Sequence, residues 1–173
     1  MIMYLANGFY FINERAGIFL LPNFLINLAQ TFHKIWIHLI WTTHNRQQLL
    51  IPNVPIQLRG FVKNVAEEKG YHYDIMNGVA DHVHCLFSIN PKHAISDVAK
   101  NIKGKSSHWI NENKLIVEHF KWQDGFGAFS VSDQHVAVIR RYIYDQERHH
   151  QRVSFEDELN ILQNGRVEQL YSN

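Results

Sequence analysis

The chain has 173 residues, 46% of them apolar, and 17 Lys and Arg balance 16 Asp and Glu to a formal net charge of +1. This suits one domain with a real core and excludes a disordered tail, a long array or a TIM barrel, which needs roughly 250 residues. Any nucleic-acid partner must be held by locally clustered Lys and Arg, because the whole is not basic.

The first thirty residues carry only Glu14 and Arg15 as charges and show no clear periodicity. They read as an accessory extension, possible upstream translation or a misplaced start, attached to a single domain over 31–173. Residues 16–29, AGIFLLPNFLINLA, are the most hydrophobic stretch. Pro22, Asn23 and Asn27 interrupt it below the ~18 apolar residues of a membrane span. No basic n-region or A-x-A site marks a signal peptide.

From residue 33 the pattern becomes regular. HKIWIHLIWTT (33–43) is rich enough in Ile and Trp to be a strand. Val54, Leu58, Phe61 and Val65 fall at helical spacing, and Gly70 stops that helix. YHYDIMNGVA and HVHCLFSI read as two strands joined near Asn77-Gly78, a hairpin signal. Ser96 is placed to cap a second helix to about residue 112, with Ile95, Val98, Ile102 and Trp109 on one face. FKWQDGFGAFSVS gives short strand material around an Asp-Gly turn. Ser132 and Asp133 open a third helix, DQHVAVIRRYIYDQERHH, and Ser154 with Asp157 forms a capping box for a last short helix ending at Gly165. This order predicts an α+β fold of ferredoxin-like or RRM-like plan, with one antiparallel sheet, helices mainly on one face and a C-terminal helix.

Alternate residues of a strand share a face, so His82 and His84 project together while Val83 and Cys85 go to the other side. Two neutral imidazoles on one face can hold a divalent metal, or can be a hydrogen-bonded pair with no ligand. On the third helix Tyr142 and Gln146 are stacked four apart, with His135, Val138 and His149 near the same stripe. Val136, Ile139 and Ile143 form an adjacent docking stripe, and Tyr144 lies nearly opposite. Taken alone, Tyr142 reads as a packing aromatic. Trp109 and Trp122 read as core, although either could stack a base. Cys85, the single cysteine, excludes an internal disulfide and a Cys-rich zinc site, and suits a small core role in a reducing compartment, the cytoplasm by default.

The HVH of 82–84 and the YIYDQ of 142–146, about sixty residues apart, stand in order with WTTHNR, ISDVAKNIKGKSSHWINE and FKWQDGFGAFSVS. Over roughly residues 32–160 this set resembles the single-tyrosine HUH transposases, small insertion-sequence transposases that act on single-stranded DNA. The resemblance implies His82, His84 and Gln146 as metal ligands and Tyr142 as nucleophile, making a 5′-phosphotyrosine. It also implies Mg²⁺ or Mn²⁺ as cofactor, DNA hairpins at element ends as partners, and a homodimer with active sites shared between subunits. The chemistry is consistent: a phenol with a pKa near ~10 attacks phosphorus poorly without a metal to polarise the phosphodiester.

Arg46, Lys103, Lys105, Arg140 and Arg141 are the DNA-contact candidates, with a solvated helix face as the other reading for the lysines. KGKSS is no P-loop, because Ala99 stands where its first glycine belongs, so no nucleotide cofactor is expected. His149 and His150 extend the Gln146 helix and suggest a larger metal cluster, but His149 reads as an exposed histidine or, at best, a supporting or DNA-contact residue. Asp81 reads as the end of a turn. Two other functions compete. One is a catalytically inactive RRM-like module binding single-stranded nucleic acid. The other is a two-histidine phosphoesterase, for which His33, His38 and His44 have the wrong spacing.

Overall fold

In the computed structural model of the chain, residues 2–5, 8–13, 17–20, 32–51 and 53–170 are described. They divide into two compact units, 1–32 and 33–173. The first contains β1 (Ile2–Leu5), β2 (Gly8–Asn13) and β3 (Gly17–Leu20), an antiparallel sheet in chain order for which the sequence reading assigned no elements.

The second unit holds β4 (Trp36–Thr42), α1 (Val54–Lys69), β5 (His72–Val79), β6 (His82–Ser88), α2 (Ile95–Glu112) and β7 (Gly127–Val131). It ends in α3 (Val136–Tyr144), α4 (Gln146–His149) and α5 (Phe155–Gln163). The four strands pair antiparallel in the order β5-β6-β4-β7, the α+β plan expected. β6 is therefore an inner strand, paired on both edges along its length.

The two faces of this sheet are covered differently. Ile37, Leu39 and Trp41 of β4 and Val83, Cys85 and Phe87 of β6 turn to one face, where they pack with Leu58, Val62 and Val65 of α1 and Val98, Ala99 and Ile102 of α2. α1 starts with Pro in its first turn, where no N–H is missed, and stops at Gly70 in the left-handed region (φ 72°), as predicted. Phe61 stacks on Trp109 (4.6 Å between centroids), and the Trp122 indole donates to Ser106 Oγ at 3.0 Å. Both tryptophans are packing residues. Ile40 and Leu86 turn to the other face and meet Val136, Ile139 and Ile143 of α3 and Leu162 of α5. The Ser154 hydroxyl accepts from the Asp157 amide, so the predicted cap of α5 is present.

Three local expectations are corrected. The hairpin turns at Ala80-Asp81, since Val79 pairs with His82 and Gly78 with Val83 inside the ladder. Gly78 serves close approach instead: a Cβ there would stand 2.2 Å from the His82 carbonyl oxygen. Ser96 is not the cap of α2, which begins one residue earlier behind Ala94 and has no side-chain cap bond. The third helix is not continuous: a 3-10 turn (Asp133–His135) precedes α3, and Asp145 (ψ 18°) separates α3 from α4. Among the described residues no helix is long and apolar enough to cross a membrane. KGKSS lies inside α2, which leaves no phosphate-cradling loop there.

Candidate active site

β6 carries His82 and His84 to one face, at 1% and 0% exposure. Their register between the flanking strands is fixed on both sides: His82 opposes Thr42 and Val79, and His84 opposes Ile40 and Asn77. Val83 and Cys85 go to the opposite core, as alternation requires.

Each histidine is oriented through its Nδ1. His82 Nδ1 lies 2.7 Å from Asp81 Oδ1, and a carboxylate can only accept, so Nδ1 holds the proton and Nε2 the lone pair. Asp81 is thus more than a turn ending. His84 Nδ1 shares a 3.0 Å hydrogen bond with His38 Nε2, and its own Nε2 has no hydrogen-bond partner among the described residues. His38 comes from β4, where antiparallel pairing brings it diagonally beside His84.

Tyr142 is 2% exposed, so it lies inside the buried face and not at its edge. Its ring stands edge-on to His84 (5.6 Å between centroids), His38 (6.0 Å) and His149 (5.0 Å), all of the same chain. The Asn77 amide donates to the Tyr144 carbonyl at 2.8 Å, which ties the end of α3 to β5, while the Tyr144 side chain is 73% exposed. Gln146 is fully buried, its amide donates to the Tyr142 carbonyl at 3.4 Å, and its Oε1 has no hydrogen-bond partner among the described residues.

Two further groups close on the histidines. Glu158, one turn into α5, is 0% exposed with neither carboxylate oxygen hydrogen-bonded among the described residues. Its oxygens lie 3.4 Å from His84 Nε2, 3.7 Å from His82 Nε2 and 3.4 Å from His150 Nε2. Ligand atoms of His82, His84, His150 and Glu158 all fall within 4.8 Å of one another. His149 is half-buried against Tyr142, not exposed.

Burial sets the electrostatics. It lifts the Glu158 carboxyl to about 8, with Asp81 adding and Arg46 opposing. It lowers His38 to about 3 and His150 to about 4, the latter helped by His82 and His149. His84 is held well below the ordinary histidine range by burial and by its imidazole neighbours, so at neutral pH it is uncharged, the form that ligates metal. Burial alone would raise Asp81, but hydrogen bonds from His82 and Arg46 hold it below the usual carboxylate range. A divalent ion fits this donor set, because it would satisfy buried acceptors that are otherwise without donors.

The candidate DNA contacts lie apart from this centre or are engaged. Arg46 pairs with Asp81 and Glu156 and sits over the Phe155 ring, 4.6 Å from its centroid. Lys103 donates to the Gln123 and Gly125 carbonyls, Lys105 pairs with Glu68, Arg140 with Asp74, and Arg141, 79% exposed, with Asp145. A cavity of about 310 Å³ beside edge strand β7 is lined by Phe129, Ser132, His135, Ile139 and Leu162, with His38 on its wall.

Sequence reasoning assigns no site role to His38, Asp81 and Glu158, and sets aside a larger metal cluster at His149 and His150. His38 carried a signal, since it stands on an alternating strand next to the histidine pair. Glu158 carried none, because only the packing of α5 brings it within reach.

Residues 31–146 match the family model of IS200-like transposases. The chain is 30% identical over 120 residues to the ISDra2 transposase TnpA of Deinococcus radiodurans, covering 66% of this chain and 85% of that one. A solved structure of a putative transposase from D. radiodurans superposes with a TM-score of 0.56 at 27% identity, over 67% of this chain and 93% of that one. A REP-associated tyrosine transposase bound to a REP hairpin shares the fold at 19% identity, with a TM-score of 0.52 over 72% and 73% of the two chains. With its histidine pair and tyrosine gathered on one sheet face, the chain belongs to the IS200-like, single-tyrosine HUH transposases, enzymes that act on DNA in transposition.

Proposed function

We propose that this transposase cuts and rejoins single-stranded DNA at insertion-sequence ends through Tyr142. The observation that carries the reading is the Tyr142 ring set against His84, a member of the cluster in which the ligating atoms of His82 and His84 come together. The phenol oxygen gives up its proton and bonds to phosphorus, the bond from phosphorus to the 3′-oxygen breaks, and that oxygen takes up a proton, leaving a 5′-phosphotyrosine and a 3′-OH. One phosphodiester replaces another, so the reverse step joins a new strand without a nucleotide cofactor. A bound divalent cation supplies polarisation of the phosphodiester and stabilises the departing oxygen. His82 and His84 would hold it, oriented by Asp81 and His38. Gln146, with its buried Oε1, would be the third ligand. Of Mg²⁺ and Mn²⁺, a histidine-rich set suits Mn²⁺ better.

The proposed partners are single-stranded DNA and hairpins at element ends, a reading supported by a fold relative bound to a REP hairpin. Arg46, Lys103, Lys105, Arg140 and Arg141 would reach phosphates only by exchanging their present partners. We keep the homodimer in the proposal. The contact of Tyr142 with His84 inside one chain supports two complete sites per dimer over two exchanged ones. Residues 1–30 are taken as accessory to 31–173, and the cytoplasm, where Cys85 stays reduced, as the setting.

Single-stranded oligonucleotides tiled across both strands flanking the coding sequence, 3′-labelled and incubated with Mn²⁺, test this. A label retained on the protein in denaturing gels is expected, and Tyr142→Phe should abolish it while the fold is kept. Binding without any adduct in the unaltered protein would favour the inactive RRM-like module, and hydrolysis without adduct the phosphoesterase.

A further inference from the structure

We infer that, before DNA binds, His150 and Glu158 complete a four-ligand set with His82 and His84 around the same cation; Gln146 and the phosphate enter that set only when DNA is bound. This rests on the metal-assisted reading above but extends it to residues beyond the segment, 31–146, that matches the family.

His150 Nδ1 lies 3.2 Å from the Val153 carbonyl, which can only accept, so Nδ1 carries the proton and Nε2 the lone pair. His82 is fixed in the same way by Asp81. Yet these two Nε2 atoms stand 2.9 Å apart and face each other. Two lone pairs at that distance repel unless something positive lies with them. Glu158 adds a third acceptor group, and His84 Nε2 a fourth, with no hydrogen-bond donor for either among the described residues. One extra proton would satisfy the His82–His150 pair, and a proton on Glu158 would serve His84 Nε2; a single divalent cation satisfies all four groups at once.

The spacing agrees. A tetrahedral ion with ligand bonds of about 2.0–2.1 Å holds its donors roughly 3.3 Å apart. Here four of the six donor-to-donor separations are 2.9, 3.4, 3.4 and 3.7 Å, and the whole set falls within 4.8 Å. Three imidazoles and one carboxylate favour Mn²⁺, Co²⁺, Ni²⁺ or Zn²⁺ over Mg²⁺. Glu158 also reduces the net charge of the centre, trading pull on a phosphate for affinity.

The test is metal binding measured without DNA. Metal-stripped protein is titrated calorimetrically with Mn²⁺, then loaded with Co²⁺ for its visible spectrum. The unaltered protein should bind one ion, and its Co²⁺ form should show the intense absorption of low coordination. Glu158→Gln and His150→Ala should each weaken Mn²⁺ binding at least tenfold and lose the intense Co²⁺ band. Should both variants bind as the unaltered protein does while His82→Ala does not, the inference is overturned and the metal-assisted reading survives. Absence of any metal binding by the unaltered protein would overturn both. A faint, six-coordinate Co²⁺ spectrum in the unaltered protein would contradict the inference even if the variants failed to fold.

Discussion

The two faces of the four-stranded sheet are built from alternate residues of the same strands, yet they solve opposite problems. Toward α1 and α2, Val83, Cys85 and Phe87 pack into a large apolar cluster, and the face is a conventional core. Toward α3 and α5, His82, His84, His38, Gln146 and Glu158 are buried just as deeply among Ile40, Leu86 and Ile143. Burying polar groups without partners costs free energy. Among the described residues, the first face incurs it at the Trp41 indole nitrogen, while the second incurs it at His84, Gln146 and both oxygens of Glu158. The difference teaches where stability and where chemistry reside: one face holds the fold together, and the other spends part of that stability to keep ligating atoms dry and oriented.

The largest effect that separates the faces is expected from Phe87→Ala. Phe87 is fully buried in the helical core, so truncation should cost about 3–5 kcal/mol of unfolding free energy in urea titrations. The fraction that remains folded should bind Mn²⁺ with unchanged affinity. A loss of metal affinity in that folded fraction would break the division.

On the polar face the pattern should invert. Asp81→Asn leaves the strand packing alone but removes the carboxylate that fixes the His82 tautomer. Metal affinity should fall by about 10–100-fold, read by calorimetry, with a much smaller change in unfolding free energy than Phe87→Ala produces. The smallest expected effect is none at all. Mixing inactive Tyr142→Phe protein with inactive His84→Ala protein should restore no adduct, because each chain already sets its own tyrosine against its own His84. Recovery in the mixture would show that subunits exchange their tyrosines.

Much of this contrast was legible in the sequence, for physical reasons. A period of two places His82 and His84 on one face whatever else happens, and a period near 3.6 puts Val136, Ile139 and Ile143 against the sheet. Local turn chemistry misled at Asn77-Gly78, where the glycine is demanded by the approach of the neighbouring strand and not by a turn. The break at Asp145 has no proline or glycine to announce it, so α3 and α4 read as one helix. Glu158 was out of reach because its role depends on the docking of α5, and an acidic residue one turn into a capped helix reads as solvated surface. A larger cluster at His149 and His150 was set aside for the same reason, since its partner on α5 does not show in the sequence.

The central claim is that Tyr142 is the residue that joins DNA. Protein incubated with 3′-labelled single-stranded DNA and Mn²⁺ can be digested with trypsin and nuclease, and the peptide beginning after Arg141 sequenced by fragmentation. The account predicts a nucleotide remnant on Tyr142 and none on the exposed Tyr144 two residues away. A remnant on Tyr144, or labelled DNA attached to any other side chain, would contradict it.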